Sequence, residues 1–418
     1  MKKILAVILS ICTVLPVAAC STNTAKAVTE ELNKVEYEQN NDVYFNDAAF
    51  LSKLAAFSAD IYELSAKEQT GNYSLSPVSI YMALAVLNAV GDEGIKSDIR
   101  TLFGMTDEDI AKTGDLFLSL LTEKTEDGKT ITAFDLNNSI WLNKGTEANQ
   151  SVLDKIAKDL FVNAFRTPFK EDNKKANEDI RKFIKEKTKG LIDEDFDLSP
   201  STLFAIINTL YLKDIWNEED GLAVSKGTFY ENGAGVQKDF LYADYVPGEA
   251  GETAVSNFFY ARTLSGYKVK FIVPKENKTV ASVMTKENIS AVNAASFKAE
   301  NGGKKHYTRC IFPKFKTENE TDLKKVLEGG GYLPNAFNNF NSELVRGDLV
   351  VSDIKHRVAL TVDEKGVEGA AVTVIAVKEN AIFEPERVFH DFTVDKEFGF
   401  LITDINDVIL FAGQIVKP

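Results

Sequence analysis

Histidine and cysteine are both scarce in this chain. Only His306, His356 and His390 occur in 418 residues, none paired at helical spacing, and there is no CxxC, so no metal site is expected. Two of the three cysteines, Cys12 and Cys20, lie in the first twenty residues. That leaves Cys310 alone in the body of the chain, which excludes an internal disulfide; within TRCIFPKF it reads as a buried structural thiol. After the first forty residues there is no Pro-rich, Ser-rich or low-complexity run, so no interdomain linker is visible and the chain reads as one large domain. Positive charge is in deficit: the formal net charge is −14, and loss of Lys2 and Lys3 with a leader takes it to −16, which argues against nucleic acid as a partner. GxSxG, HExxH, GxxxxGK[ST] and EF-hand patterns are absent, and the Gly233–Gly235 and Gly329–Gly331 runs read as turn glycines, so neither an enzyme nor a bound cofactor is expected. Ser76, Ser79 and His356 could be drawn as a hydrolase triad, but the serines open an apolar helix, where hydroxyls cap orphan N–H groups.

What the chain does have begins at residue 1. Met1-Lys2-Lys3 followed by ILAVILSICTVLPVAAC is a basic start, a short apolar stretch and small residues before a cysteine, the pattern of an export signal. Val17-Ala18-Ala19-Cys20 resembles a bacterial lipobox. It predicts a signal peptide over 1–19, lipidation of Cys20, a polar tether over 20–42 and a folded domain over 43–418. The protein is therefore expected to be exported and held by lipid at the bacterial cell envelope or surface. Plain cleavage after Ala19 is the alternative.

Helix signals come mainly first and strand signals later. Phe50, Leu54, Phe57, Ile61 and Leu64 recur at helical spacing behind Asn46-Asp47; SIYMALAVLNAVG is apolar all round and stops at Gly91; residues 173–190 form a charged helix with Ile180, Phe183 and Ile184 on one face. Residues 203–212, 266–274 and 309–316 read as strands, and FGFLITD with DVILFAGQIV as a strand pair around Ile405-Asn406-Asp407. The class is α+β with large sheets.

One stretch contains a conflict. VDEKGVEGAAVTVIAVKEN, Val362 to Asn380, has the composition of a buried strand, yet it leads into Glu384, Pro385, Glu386 and Arg387, which is loop chemistry. Counted in alternation, Val367, Gly369, Ala371, Thr373, Ile375 and Val377 make one uncharged face, and both charges, Glu368 and Lys378, fall on the other.

Five blocks in order make the chain resemble the serpins from about residue 46 to Pro418: Asn72-Tyr73-Ser74-Leu75-Ser76-Pro77-Val78-Ser79, Asn208-Thr209-Leu210-Tyr211-Leu212-Lys213-Asp214-Ile215-Trp216, His356, the segment Asp363 to Ala371, and Ile409 to Pro418. The resemblance implies the serpin fold, with helices packed around large sheets and an exposed reactive-centre loop. It implies a hinge at Glu364, Lys365, Gly366, Val367, Glu368, Gly369, Ala370 and Ala371; a shutter of Asn72, Ser76, Ser79, Asn208 and His356; and Trp216 beneath the point where insertion begins. Phe183, Glu397 and Val367 depart from the family's usual tryptophan, proline and threonine or serine.

The implied activity is inhibition of a serine-type, and also a cysteine-type, endopeptidase as a suicide substrate, by cleavage of the loop and its insertion into the central sheet. No residue of the chain is catalytic in that scheme. The uncharged face favours it, because a charge there would have to be desolvated during insertion; the alternative is a non-inhibitory serpin acting as a binding protein. Counting seventeen positions from Glu364 places the reactive bond at Asn380–Ala381, whereas counting back from Phe392 points to Phe383 or Glu384. The small and apolar residues near Ala381 suit an elastase-like or subtilisin-like target better than a trypsin-like one, and a monomer is expected.

Overall fold

Asp47 and Ser76 each open a helix by lending a side-chain oxygen to an otherwise unpaired backbone N–H, that of Phe50 at 3.0 Å and of Ser79 at 3.3 Å. The second helix also has Pro77 in its first turn and ends at Gly91. The computed structural model describes residues 29–33, 35, 45–126, 129–194, 197–216, 221–338, 340–351, 354–368 and 386–418. In chain order, the elements that position the site are β1 (Glu30–Glu31), α1 (Ala48–Ala66), β2 (Tyr73–Leu75), α2 (Pro77–Val90), β3 (Lys129–Asn143), β4 (Val162–Thr167), α3 (Asn173–Lys187), β5 (Phe204–Ile215), β6 (Lys304–Pro313), β7 (Phe315–Asp322), β8 (Lys355–Val362), β9 (Gly366–Val367), β10 (Arg387–Thr393), β11 (Phe398–Thr403) and β12 (Ile409–Ile415).

The largest sheet has the order β1-β4-β3-β5-β9-β8-β7, with Thr122–Glu126 as a further strand on β3. Only β3 and β4 run parallel; the other neighbours are antiparallel. A second sheet places Gly251–Glu252, Ser256–Arg262, Lys268–Pro274, β11, β12 and β2 side by side, all antiparallel. In the third, β6 pairs with Ala234–Tyr242, with Val246–Pro247 and, in parallel, with β10. This is the expected α+β architecture.

Helix α2 sits between the large sheet and the second sheet and is apolar on nearly every face because nearly every face is covered: Val78, Ile80, Tyr81, Met82, Leu84, Val86 and Leu87 are all buried. Each such side chain contributes about 2 kcal/mol by leaving water. Across the opposite face of the large sheet, α3 lays Ala176, Ile180 and Ile184 against Trp141 and Ile207. Phe183 meets the Trp141 and Phe165 rings edge-on, at centroid distances of 5.5 and 5.4 Å, so an aromatic contact survives the departure from tryptophan. Glu397 accepts the Val280 N–H at 3.0 Å and thereby serves the first turn of the short helix Val280–Val283.

Two expectations need correction. The segment 309–316 is not one strand: β6 ends at Pro313, Lys314 makes a corner, and β7 begins at Phe315 in a different sheet. Burial alternates along β7, whereas Cys310 to Pro313 at the end of β6 are all buried, so an apolar run leads straight up to the corner. The polar stretch 20–42 is also not a tether throughout. β1 pairs with β4, Leu32 donates its N–H to the Ala164 carbonyl at 2.8 Å, and the Asn33 side chain exchanges hydrogen bonds with Val162 and Ala164. The Thr29 hydroxyl donates to Asp179 on α3 at 2.7 Å. Buried Cys310, its thiol pushed up by burial, matches the structural reading.

Candidate functional site

Strands β5 and β8 are neighbours in the large sheet only through β9. That connection is short: Gly366 pairs with Ile215, and Val367 with Asp214 on one side and Val362 on the other. Beyond it, no ladder joins β5 to β8 among the described residues, and a cavity of about 460 Å³ lies between them, lined by β5, β8 and the first turns of α2. Two facing strand edges without partners are an acceptor for another strand.

A relay of hydrogen bonds ties the two sides of this slot together from beneath. His356 on β8 accepts the Ser76 N–H at its Nε2, 2.9 Å away. Ser79, whose N–H is capped by the Ser76 hydroxyl, donates its own hydroxyl to the Asn208 side-chain oxygen on β5. Asn208 in turn donates to Asn138 on β3 at 2.7 Å, and Asn138 to the Leu160 carbonyl at 2.9 Å. Burial pulls His356 down to about 4, so its ring is neutral at pH 7, as its role as an acceptor at Nε2 requires.

The segment that the resemblance reads as the hinge is fixed at its start. The Asp363 carboxylate accepts from the Lys365 and Gly366 N–H groups, and Glu364 pairs with Lys314 at 2.7 Å, which holds the Glu364 carboxyl below its ordinary range. Gly366 is required by contact: a Cβ there would lie 2.1 Å from the Asp214 carbonyl oxygen. Trp216, buried, donates its ring N–H to the Asp363 carbonyl at 2.7 Å and packs edge-on against Phe312. Val367 is wholly buried. Glu368 points away from that face, accepts from the Tyr211 hydroxyl at 3.2 Å, and has its carboxyl raised by burial. Its φ of 69°, in the left-handed region, costs a non-glycine residue about 1 kcal/mol and marks where the chain leaves the sheet.

Of the five residues assigned to the shutter, the structure brings Ser76, Ser79, Asn208 and His356 together and sets Asn72 apart. Asn72 is exposed and clasps the C-terminal segment, donating to the Lys417 carbonyl and accepting from the Val416 and Lys417 N–H groups. Sequence reasoning missed Asn138, one of several polar residues, with Asn137, Ser139 and Asn143, in a stretch of β3 that is buried throughout from Leu136 to Asn143. Gly369, Ala370, Ala371, Asn380, Ala381 and Cys20 lie outside the described residues.

The family description "Serpin (serine protease inhibitor)" matches residues 52–418. An uncharacterized serpin-like protein of Methanosarcina acetivorans is 27% identical over 87% of this chain and 85% of its own length. An alpha-1-antiproteinase of Callosciurus caniceps is 26% identical over 87% and 88%. Among solved structures, the thermophilic serpin tengpin in its native state superposes with a TM-score of 0.74, covering 93% of this chain and all of that one at 22% identity. The match spans the slot and reaches from within α1 to the last residue, and protease inhibition is the family's general activity: the chain belongs to the serpin family.

Proposed function

We propose that this chain is a suicide-substrate inhibitor of serine-type endopeptidases, with cysteine-type ones as further targets. The observation that carries this reading is the slot: β5 and β8 present unpaired edges to each other, and the hinge has entered by only two residues. The target's serine hydroxyl or cysteine thiol attacks the Asn380 carbonyl, an ester or thioester forms as the Asn380–Ala381 amide bond breaks, and the nucleophile's proton goes to the leaving Ala381 amine. The freed segment from Gly369 onward then extends β9 down the slot, with Thr373, Ile375 and Val377 on the buried face that Val367 begins. Insertion outpaces deacylation because that face carries no charge.

Elastase-like and subtilisin-like enzymes fit the residues around Ala381. Incubation with a panel of proteases should give an SDS-stable complex with that class and release a peptide beginning at Ala381, read by mass spectrometry. Clean cleavage without a complex would instead support a non-inhibitory binding protein. A released peptide beginning at Glu379, with all inhibition lost in Lys378→Ala, would shift the reading to a trypsin-like target. The Cys20 anchor belongs to the same reading: Cys20→Ala should free the protein from the cell envelope with inhibition unchanged, and a soluble wild-type protein without an acyl group would rule the anchor out.

A further inference from the structure

The third sheet turns one face inward and one outward, and the two are built differently. Inward lie Thr308, Cys310 and Phe392, all buried, together with His306 and His390, whose Nδ1 and Nε2 atoms meet at 2.9 Å. Outward, the parallel register of β6 and β10 sets Lys305 opposite Arg387, Tyr307 opposite Phe389 and Arg309 opposite Asp391. The Arg309 guanidinium lies over the Tyr242 and Tyr245 rings, 5.4 and 4.9 Å from their centroids. Tyr245 meets Phe389 edge-on at 5.0 Å, Phe389 stacks on Tyr307 at 5.6 Å, and Arg387 reaches over Tyr307 at 6.0 Å. Six side chains thus run in unbroken contact from Tyr242 to Arg387.

This row is held in place and yet open to water. Asp391 accepts from Arg309 Nε and Nη2 at 2.7 and 3.2 Å and from the Tyr245 hydroxyl at 3.1 Å, so the middle of the row is fixed before any partner arrives. Phe389 nevertheless keeps 55% of its surface exposed and Tyr245 38%, and among the large apolar side chains of the described residues only Ile405 is more exposed than Phe389. Core packing explains neither, since a fold gains most from a phenylalanine whose ring it covers. Groups already locked in position lose little conformational entropy on association, and Tyr and Arg are enriched among the residues that carry the binding energy of protein interfaces.

Where the row ends points to what covers it. Arg387 opens β10 and stands six residue steps beyond Ala381, so the proposed reactive bond is at most about 22 Å away. A folded protease of about 200 residues is about 40 Å across, wider than that gap, so an enzyme holding the bond has its own surface within reach of Arg387 and Phe389. This near end is cationic, with Lys305 beside Arg387, in a chain whose net charge is −14. We propose that the outer face of β6 and β10 is a docking surface for the body of the target protease, which meets Lys305 and Arg387 with carboxylates and Phe389 with an apolar side chain on the rim of its cleft. The inference rests on the reading of the loop as a protease substrate and adds a second contact, one that selects among enzymes able to cut the same bond.

The test measures binding without cleavage. Subtilisin-like, elastase-like and trypsin-like proteases whose nucleophilic serine is replaced by alanine are titrated against the full-length chain by biolayer interferometry, and at least one should bind. Phe389→Ala and Arg387→Glu should each weaken that binding at least about tenfold, and added salt should weaken the wild-type interaction more than that of Arg387→Glu. Val224→Ala, which trims a side chain 45% exposed on the strand Ala223–Glu231 of the same sheet, should change nothing. With the active enzymes, association should slow in the two variants while the stoichiometry of inhibition keeps its wild-type value, a sign that folding and loop insertion are intact. Equal binding by the wild type and both variants, or no binding of any inert protease, overturns the docking face. A concentration-dependent dimer of the chain that Phe389→Ala abolishes overturns it too, by assigning the face to a second copy. Inert proteases that bind in a face-dependent way, with no SDS-stable complex from the active ones, would leave the docking face standing and overturn the suicide-substrate reading instead.

Discussion

The second sheet and the large sheet are built from similar residues and are finished differently. In the second, β11 and β12 are buried at every position and six strands pair in unbroken antiparallel order, with one irregularity near Thr403. In the large sheet, β8 buries alternate residues, and the edges of β5 and β8 face a cavity rather than each other. Helix α2 touches both, one side on the finished sheet and its N-terminal turn beneath the unfinished one. The difference teaches where spare free energy can reside: one sheet has nothing left to gain, whereas the other can still accept a strand. A chain that changes shape once without unfolding, as proposed above, would need both kinds.

The strongest way to break this comparison is to fill the slot. Cleavage of the loop should raise stability by on the order of 10 kcal/mol, since Ile375 and Val377 join the core at about 2 kcal/mol each and the new strand adds hydrogen bonds to both edges of the slot at about 1 kcal/mol each. Melting curves before and after limited proteolysis check it, and equal melting temperatures would show that the large sheet was already complete. Next in size, Val367→Arg places a charge at a wholly buried position, at a cost of several kcal/mol, and should turn the inhibitor into a substrate. Persistence of the SDS-stable complex would remove the role given to the uncharged face.

A pH series sharpens the contrast from beneath. His356 is held neutral by burial, with its folded value near 4 against an ordinary 6.5. Its contribution is therefore complete above about pH 6.5 and is lost as pH falls toward 4, an effect of about 3 kcal/mol. Denaturant unfolding at pH 7 and pH 4, compared with His356→Gln, isolates it, because the amide oxygen can accept from Ser76 at both values. A wild-type chain that loses no more stability than the variant would place the ring outside the relay. Smallest is Ser79→Ala, which leaves the Asn208 oxygen without its donor and should cost about 1–2 kcal/mol in the denaturant midpoint.

Much of this arrangement was legible in the sequence, and the exceptions share a cause. Helix starts at Asp47 and Ser76, the stop at Gly91 and the buried character of α2 are local, each written in a few neighbouring residues. The corner at Lys314 falls inside what reads as one strand because the apolar run Cys310 to Pro313 leads straight up to it. Asn72 was placed with the shutter because it shares a sequence block with Ser76 and Ser79, yet the strand β2 carries it out toward the C-terminal segment instead. Asn138, the His306 and His390 contact, and the pairing of β1 with β4 are products of long-range register, which a single sequence does not display.

The pairing of β1 with β4 bears on how the molecule would sit at a surface. Nine residue steps separate Cys20 from Thr29, whose side chain is fastened to α3, so a lipid at the proposed anchor would hold the folded body on a leash of at most about 30 Å. That is less than the roughly 50 Å expected across a folded unit of this size. The edge of the large sheet that carries β1 would face the membrane, and the protein could pivot but not roam. Its reach would be limited to proteases that come to the cell surface.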